Sequence, residues 1–441
     1  MARLMLKFKM FNELNNFFEN SKSNIVSETL ISDYTKETDQ SNKPSLYKCF
    51  YPLKSCSWDQ QEKYSIFQLL KDSQLTMGLN VKKFEEEFSE YNNTKYSVMV
   101  NSGSSANLLI IASLILSPKY NFNKGDEIIV PAIGWSTSYA PLSQYGLKLK
   151  FVDVNSNTWN IDEFKVQKAV TKKTKAILAI NILGNPSNLK ILKDVCESNK
   201  LILIEDNCEA LGATINQIHT GTFGVAGSNS FHFSHHIQTI EGGMISTNDD
   251  ELYHYLLSLR SHGWIRELPF KNYISNKSGN EFEDLFKFAL PGYNLKPNEI
   301  NGLVGRIQLK KFPKFLLQRH KNARYFRYLF NSCDYCKIQK SLGKSSWFGF
   351  GLVLKGKLSN KRSLVIFELK ENGVETRPIV TGNILKNPMA KFLEYSIFDK
   401  LDNTEDIDIN GLFLGNDQRN LIPQLTRVKE ILENIITKYN L

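Results

Sequence analysis

The chain is short of cysteine and histidine and has no long apolar run, and each shortage excludes a class of protein. Six cysteines are scattered over 441 residues, at Cys49, Cys56, Cys196, Cys208, Cys333 and Cys336. Only the last two are close in sequence, and no second pair of cysteines or histidines completes a zinc pattern. The six therefore read as reduced thiols, with no metal site expected. No uninterrupted apolar stretch of about 20 residues is present to cross a bilayer. The basic start, Met1-Ala-Arg-Leu-Met-Leu-Lys-Phe-Lys9, lacks the apolar segment that a secretory signal carries behind it. A cytoplasmic protein with no membrane partner is expected. Basic residues outnumber acidic ones, 55 to 45, for a net charge of +10. No block of five or more basic residues concentrates that charge, so it reads as a solvated surface, with no nucleic-acid partner expected.

What is present is the material of a large globular fold: 41% hydrophobic and 23% charged residues. The length exceeds one ordinary domain. Residues 1–45, rich in Asn, Ser, Lys and Glu, read as a poorly ordered extension. Residues 46–312 read as a large domain and 313–441 as a small one. Apolar spacing predicts helices over 58–70 and 81–91. Strands are predicted at 96–100, 127–130, 149–152, 176–179, 201–204 and 244–246, with helical segments between several of them, such as 189–198. Beyond residue 312 come a long helical stretch, a strand over 347–354 and a helix over 363–371. Strands alternating with helices imply an α/β fold with a mainly parallel sheet covered on both faces. Ligands of such sheets sit at the carboxyl ends of the strands.

Four stretches have chemical potential, and three of them follow predicted strands. Asn101-Ser-Gly-Ser-Ser-Ala-Asn107 opens a helix, where small residues, free N–H groups and the hydroxyls of Ser104 and Ser105 suit a phosphate; a plain helix cap has the same composition. Trp135, in Val130-Pro-Ala-Ile-Gly-Trp135, is placed either to stack on a flat ring or to fill the core. Asp206, in Leu203-Ile-Glu-Asp206, ends an apolar strand, where it can pair with a protonated ring nitrogen or cap a helix. Ser228-Asn-Ser-Phe-His-Phe-Ser-His-His236, followed by Glu241-Gly-Gly-Met244, gathers three of the seven histidines. His232 and His236 would share a face if helical, but no acidic or cysteine partner for a metal is evident nearby.

In this order the four stretches resemble the sugar aminotransferase and dehydratase family, the DegT-type branch of fold-type I pyridoxal-phosphate enzymes, over roughly residues 50–441. The resemblance implies a large domain with a seven-stranded sheet, a smaller C-terminal α/β domain and a homodimer with shared active sites. It implies that Ser104, Ser105 and Ser230 contact the cofactor phosphate, that Trp135 stacks on the ring, that Asp206 pairs with the ring nitrogen and that Glu209 lies near the ring hydroxyl. Asn294, in Pro291-Gly-Tyr-Asn-Leu295, resembles the residue that reaches the phosphate from the other subunit. His262, Arg266, Glu375 and Arg377 resemble substrate or co-substrate contacts.

One position departs from the family's aminotransferases. They read Ser-Phe-x-x-x-Lys before Glu-Gly-Gly; here the same spacing from Ser230 ends at His235. An imidazole cannot form the covalent imine that a lysine amine forms. It can move protons near neutrality, its ordinary pKa being about 6.5. Ser-His-His before Glu-Gly-Gly is similar to the family's sugar 3-dehydratases, which hold pyridoxamine phosphate (the amine form of pyridoxal phosphate) noncovalently. Those that carry an iron–sulfur cluster need cysteines beyond this point, and none lies between Cys208 and Cys333. The resemblance thus implies a cluster-free enzyme acting on a GDP-linked 4-keto-6-deoxy sugar, with glutamate restoring the amine and His235 as catalytic acid and base. An aminotransferase that recruits another lysine and a catalytically silent binding homologue are the other readings of the same loss of lysine.

Overall fold

The computed structural model describes residues 49–71 and 74–441; the extension expected over 1–45 lies outside them. The described residues from Cys49 to Leu441 form one compact unit. Its strands are β1 (Tyr96–Val100), β2 (Glu127–Pro131), β3 (Lys148–Val152), β4 (Thr174–Ile180), β5 (Ile202–Asp206), β6 (Thr214–Ile215), β7 (Ile218–His219), β8 (Ala226–Ser230), β9 (Gly243–Thr247), β10 (Cys336–Ile338), β11 (Gly349–Leu354), β12 (Tyr395–Ile397) and β13 (Gly411–Gly415). The central sheet has eight strands in the order β1-β9-β8-β5-β4-β2-β3-β12. From β8 to β12 all neighbours are parallel, and β9 alone runs against the rest. The family resemblance implied seven strands; the eighth is β12, a three-residue edge strand that the C-terminal part of the chain lays beside β3.

Near-continuous apolar strands such as Ile202-Leu-Ile204 are what a sheet buried on both faces demands. The helix Gly103–Leu116 is apolar on almost every side and buried at nine positions. It fits because it lies between the sheet and the helix Asp250–Arg260. A second, antiparallel sheet, β10-β11-β13, packs with the helices Arg362–Glu371 and Ile422–Lys438 around its own apolar cluster, which includes Phe326, Phe350 and Leu432. Among the described helices none is long and apolar enough to cross a membrane.

One long helix, Glu299–Phe330, joins the two regions. It begins with a reciprocal cap between Asn298 and Asn301 and runs on through Pro313. The expected division after residue 312 falls within it. At its start, Glu299 is buried and accepts hydrogen bonds from the backbone N–H groups of Gly78 (2.8 Å), Asn80 (2.8 Å) and Val81 (3.1 Å). These are orphan donors of the helix Leu79–Asn92, which the carboxylate caps from a distant part of the sequence. The two helices meet closely because Gly302 has no side chain: a Cβ there would lie 2.5 Å from the Val81 nitrogen.

Truncating Glu299 strands those three donors in a closed interface. Glu299→Ala is expected to cost about 3 kcal/mol, since hydrogen bonds to a charged group carry roughly 1.5–3 kcal/mol each and are not fully additive. Denaturant titration should show a clearly lower midpoint, with Glu299→Gln in between; an unchanged midpoint for the alanine variant would show the cap to be dispensable.

Candidate active site

The parallel register aligns the carboxyl ends of the central strands. Asp206 at the end of β5 is level with Ile180 on β4 and Ser228 on β8. A cavity of about 420 Å³ opens at this edge, lined among others by Lys54, Ser104, Trp135, Asp206, Glu209, Ser230, His235 and Arg377. A larger groove of about 570 Å³ lies between the long helix and residues 341–347 and contains none of the candidate residues.

The floor of the cavity is a charge network. Asp206 is buried, and its carboxylate accepts from Asn107 Nδ2 (2.8 Å), Ser138 Oγ (2.6 Å), Ser228 Oγ (3.4 Å) and the Cys208 N–H (3.2 Å). No helix follows β5, so Asp206 is not a helix cap. All four donors are neutral, so the carboxylate is solvated by dipoles while its charge stays unpaired. Glu209, one turn on, accepts from the Leu183 N–H at 2.8 Å. Burial, with Asp206 adding repulsion, pushes its carboxyl up to about 7. Leu183 makes this contact from a left-handed backbone, at φ +53°. Val380, on the cavity wall, is also left-handed at φ +52°, a costly state for a β-branched residue.

One wall is built for an anion. Ser102 caps the helix Gly103–Leu116, and Ser102, Gly103 and Ser104 line the cavity with Ser230 opposite. A Cβ on Gly103 would lie 2.6 Å from that of Ser230, so only glycine leaves this cradle intact. Ser104 Oγ bonds Thr137 Oγ1 at 2.7 Å. Ser105 does not line the cavity; its hydroxyl donates to Asn101 Oδ1 at 2.6 Å. Trp135 precedes the helix Ser136–Gln144 and keeps 56% of its surface exposed, its indole at the cavity rather than in the core.

His235 lies in a turn closed by its N–H on the His232 carbonyl (2.8 Å), not in a helix. His232 and His236 therefore do not share a helical face. His236 is buried with Nε2 on the Ser346 carbonyl, while His232 is paired with Ser234 and Glu241. The His235 ring rests on Phe348, centroids 5.1 Å apart, and its Nδ1 has no hydrogen-bond partner among the described residues. The Phe348 backbone is fixed in turn by buried Arg319, which donates to the carbonyls of Trp347, Phe348 and Asn416. Burial first, then the charge of Lys54, the neighbouring His232 ring and the charge of Arg319, hold the imidazole well below its ordinary pKa; the Cys208 backbone opposes this. His235 is thus neutral at pH 7.

The remaining candidates lie elsewhere in the same chain. Asn294 is exposed and its backbone pairs with Ser261. His262 and Arg266 gather around Trp264, the guanidinium 3.3 Å from the ring centroid. Glu375 accepts from the Leu53 N–H at 3.0 Å and does not line the cavity. Lys54 and Ser138 carry no motif signal and emerge only from the structure, as do the contacts of Asn107 with Asp206 and of Phe348 with His235.

The arrangement suits a flat, phosphorylated heteroaromatic. The glycine cradle offers small residues and hydroxyl donors for a phosphate, the exposed indole offers a face for a ring, and Asp206 offers a negative charge for a ring cation. Known proteins point the same way. A curated relative, GDP-4-keto-6-deoxy-D-mannose 3-dehydratase of Yersinia pseudotuberculosis, is 49% identical over 385 residues, covering 87% of this chain and 98% of that protein. The solved structure of the E. coli GDP-4-keto-6-deoxy-D-mannose-3-dehydratase with bound hydrated PLP superposes with a TM-score of 0.86 at 48% identity, covering 88% of this chain and all of that one. A structure of a GDP-4-keto-6-deoxymannose-3-dehydratase with a trapped PLP-glutamate geminal diamine gives 0.84, also at 48% identity, covering 87% and 100%. The sequence profile of the DegT/DnrJ/EryC1/StrS aminotransferase family matches residues 57–430, and the chain belongs to that family.

Proposed function

We propose that the chain is a pyridoxamine-phosphate-dependent 3-dehydratase that converts GDP-4-keto-6-deoxy-D-mannose to the 4-keto-3,6-dideoxy sugar, with glutamate as the amino donor. The observation that carries this reading is His235, an imidazole held neutral in the cavity at the position where the family's aminotransferases have lysine. The names of the relatives support the substrate.

When bound, the cofactor supplies an amine that condenses with the ketone and a ring that takes up electrons. The chain's own residues do the rest. Ser104, Gly103 and Ser230 hold the phosphate, Trp135 orients the ring, and Asp206 keeps its nitrogen protonated. His235 takes the proton at the cofactor's 4′ carbon and then gives it to the departing 3-hydroxyl. The environment that lowers its basicity makes its conjugate acid a strong donor, which favours the second of these steps. A lysine ammonium, with an ordinary pKa near 10.4, is the poorer donor at pH 7.

In this reading two chains form each complete site, with Asn294, His262 and Arg266 reaching the partner's cavity. That these residues lie outside their own chain's cavity supports it. So do the exposed Phe282, Phe286 and Phe288 nearby, which a second copy would cover. The conversion of a nucleotide-linked sugar supports a cytoplasmic location.

Incubation with GDP-4-keto-6-deoxymannose, pyridoxal phosphate and glutamate, read by mass spectrometry, should give a product lacking the 3-oxygen. His235→Asn should lower its rate about 100-fold or more, the scale of general acid–base catalysis. An aminated sugar retaining that oxygen would identify an aminotransferase instead.

The state of His235 is testable without turnover. Its folded pKa is depressed, so the ring stays neutral as pH falls past the ordinary value and protonates only lower. A ¹⁵N-imidazole titration of the cofactor-free protein should find it neutral at pH 6; a midpoint at or above about 6.5, the ordinary value, would contradict the burial argument.

A further inference from the structure

Lys54 belongs to no motif, yet among the described residues it is the one lysine lining the cavity. Its position is fixed by its neighbours in an extended segment. The Tyr51 hydroxyl donates to the Gly415 carbonyl at 2.6 Å, the Leu53 N–H to Glu375, and Ser55 Oγ to Asp417 at 2.9 Å. The Trp58 indole donates to the Gln238 carbonyl at 2.8 Å. Between these anchors Lys54 crosses the top of the cavity. Its ammonium donates to the Ser234 carbonyl, next to His235, and stands 5.0 Å from the Phe348 ring centroid.

The electrostatics of this end are unbalanced. Burial, then the charge of Arg319, lowers the Lys54 pKa to about 7; Arg377 adds to the lowering, and Glu209 is the only carboxylate that opposes it. Burial pushes the Glu209 carboxyl up as well. Protonated Lys54 and Arg377 line the same cavity as Asp206, Glu209 and Glu241, and an anion held by both cations would offset the repulsion between them. That anion must lie close to His235, where the proton moves. An amino acid whose nitrogen reaches the reacting carbon brings a carboxylate there on the adjacent atom. A nucleotide sugar reacting through its keto group holds its diphosphate a hexose ring away.

We propose that Lys54, together with Arg377, is the carboxylate-binding element for the amino donor, and that it favours a dicarboxylic amino acid. This rests on the dehydratase reading for the identity of that donor, but its test needs no sugar.

Glutarate, which has both carboxylates and no amine, is titrated calorimetrically into the pyridoxal-phosphate-loaded enzyme. The glutamate half-reaction is followed by loss of the cofactor's visible absorbance. Lys54→Gln keeps a donor for the Ser234 carbonyl and removes the charge; Lys54→Arg keeps the charge. The glutamine variant should bind glutarate about tenfold or more weakly, the scale of a charge-assisted hydrogen bond. Its KM for glutamate should rise in proportion, with a smaller change in the limiting rate, and Lys54→Arg should recover most of the affinity. Glutarate affinities within about twofold for all three proteins, far less than one charge-assisted contact, would overturn the proposal. So would a loss confined to GDP binding, which would assign the cations to the diphosphate. Absence of sugar dehydration with these glutarate results intact would instead reject only the reading of the sugar reaction.

Discussion

A buried charge without a counter-charge governs this molecule. Asp206 sits at the end of β5 with only amide, hydroxyl and backbone donors around it. Removing a carboxylate from water is costly, and neutral donors return only part of that cost. Those donors come from the helix after β1, the helix after β2, the turn after β5 and from β8 itself. The Asp206 network therefore depends on the parallel register, and the register places the cradle and the indole around the same point. A protonated pyridine, a cation in a flat ring, is complementary to a carboxylate held in this way.

His235 is controlled by the other half of the structure. The long helix carries Arg319 into the second sheet, Arg319 fixes the Trp347–Phe348 backbone, and Phe348 supports the imidazole. The second sheet thus sets the burial of the imidazole that the proposed reaction uses to move protons. Burial gives a base that is neutral at physiological pH and a conjugate acid that yields its proton readily. A lysine at this position would join the cofactor covalently and hold its proton too firmly to release it to a leaving hydroxyl.

Much of this was legible in the sequence because a parallel sheet concentrates chemistry at one edge. Three of the motifs follow a strand whose apolar run is plain, which marks Ser104, Trp135 and Asp206. Ser230 and His235 lie on and after β8, Ala-Gly-Ser-Asn-Ser230, which has no apolar run and is legible only through the family's motif, and the structure gathers all five in one cavity. The misses have physical causes. Strand β12 is three exposed residues, Tyr395-Ser-Ile397, with no alternation to mark it, and it exists only because β3 offers an edge. The long helix was read from residue 312 onward; its true start was marked by the spacing of Asn298 and Asn301, an amide version of the capping box. Ser105 shares its neighbour's composition, but the helical turn directs its hydroxyl to Asn101. Lys54 has no local signal at all. Its place follows from hydrogen bonds to residues some 180 to 364 positions away, which no reading of nearby spacing reveals.

Lys54 also supplies the sharpest test of the central claim, that the histidine at position 235 leaves the cofactor without a covalent tie. Among the described residues it is the only amine lining the cavity, so it is the one candidate to replace the missing lysine. Borohydride reduction of the pyridoxal-phosphate-loaded protein, followed by peptide mapping, decides the matter. The account predicts that no lysine peptide gains a pyridoxyl group and that the reduced cofactor leaves on denaturation. Stoichiometric pyridoxyl on Lys54, or on any other lysine, would contradict it.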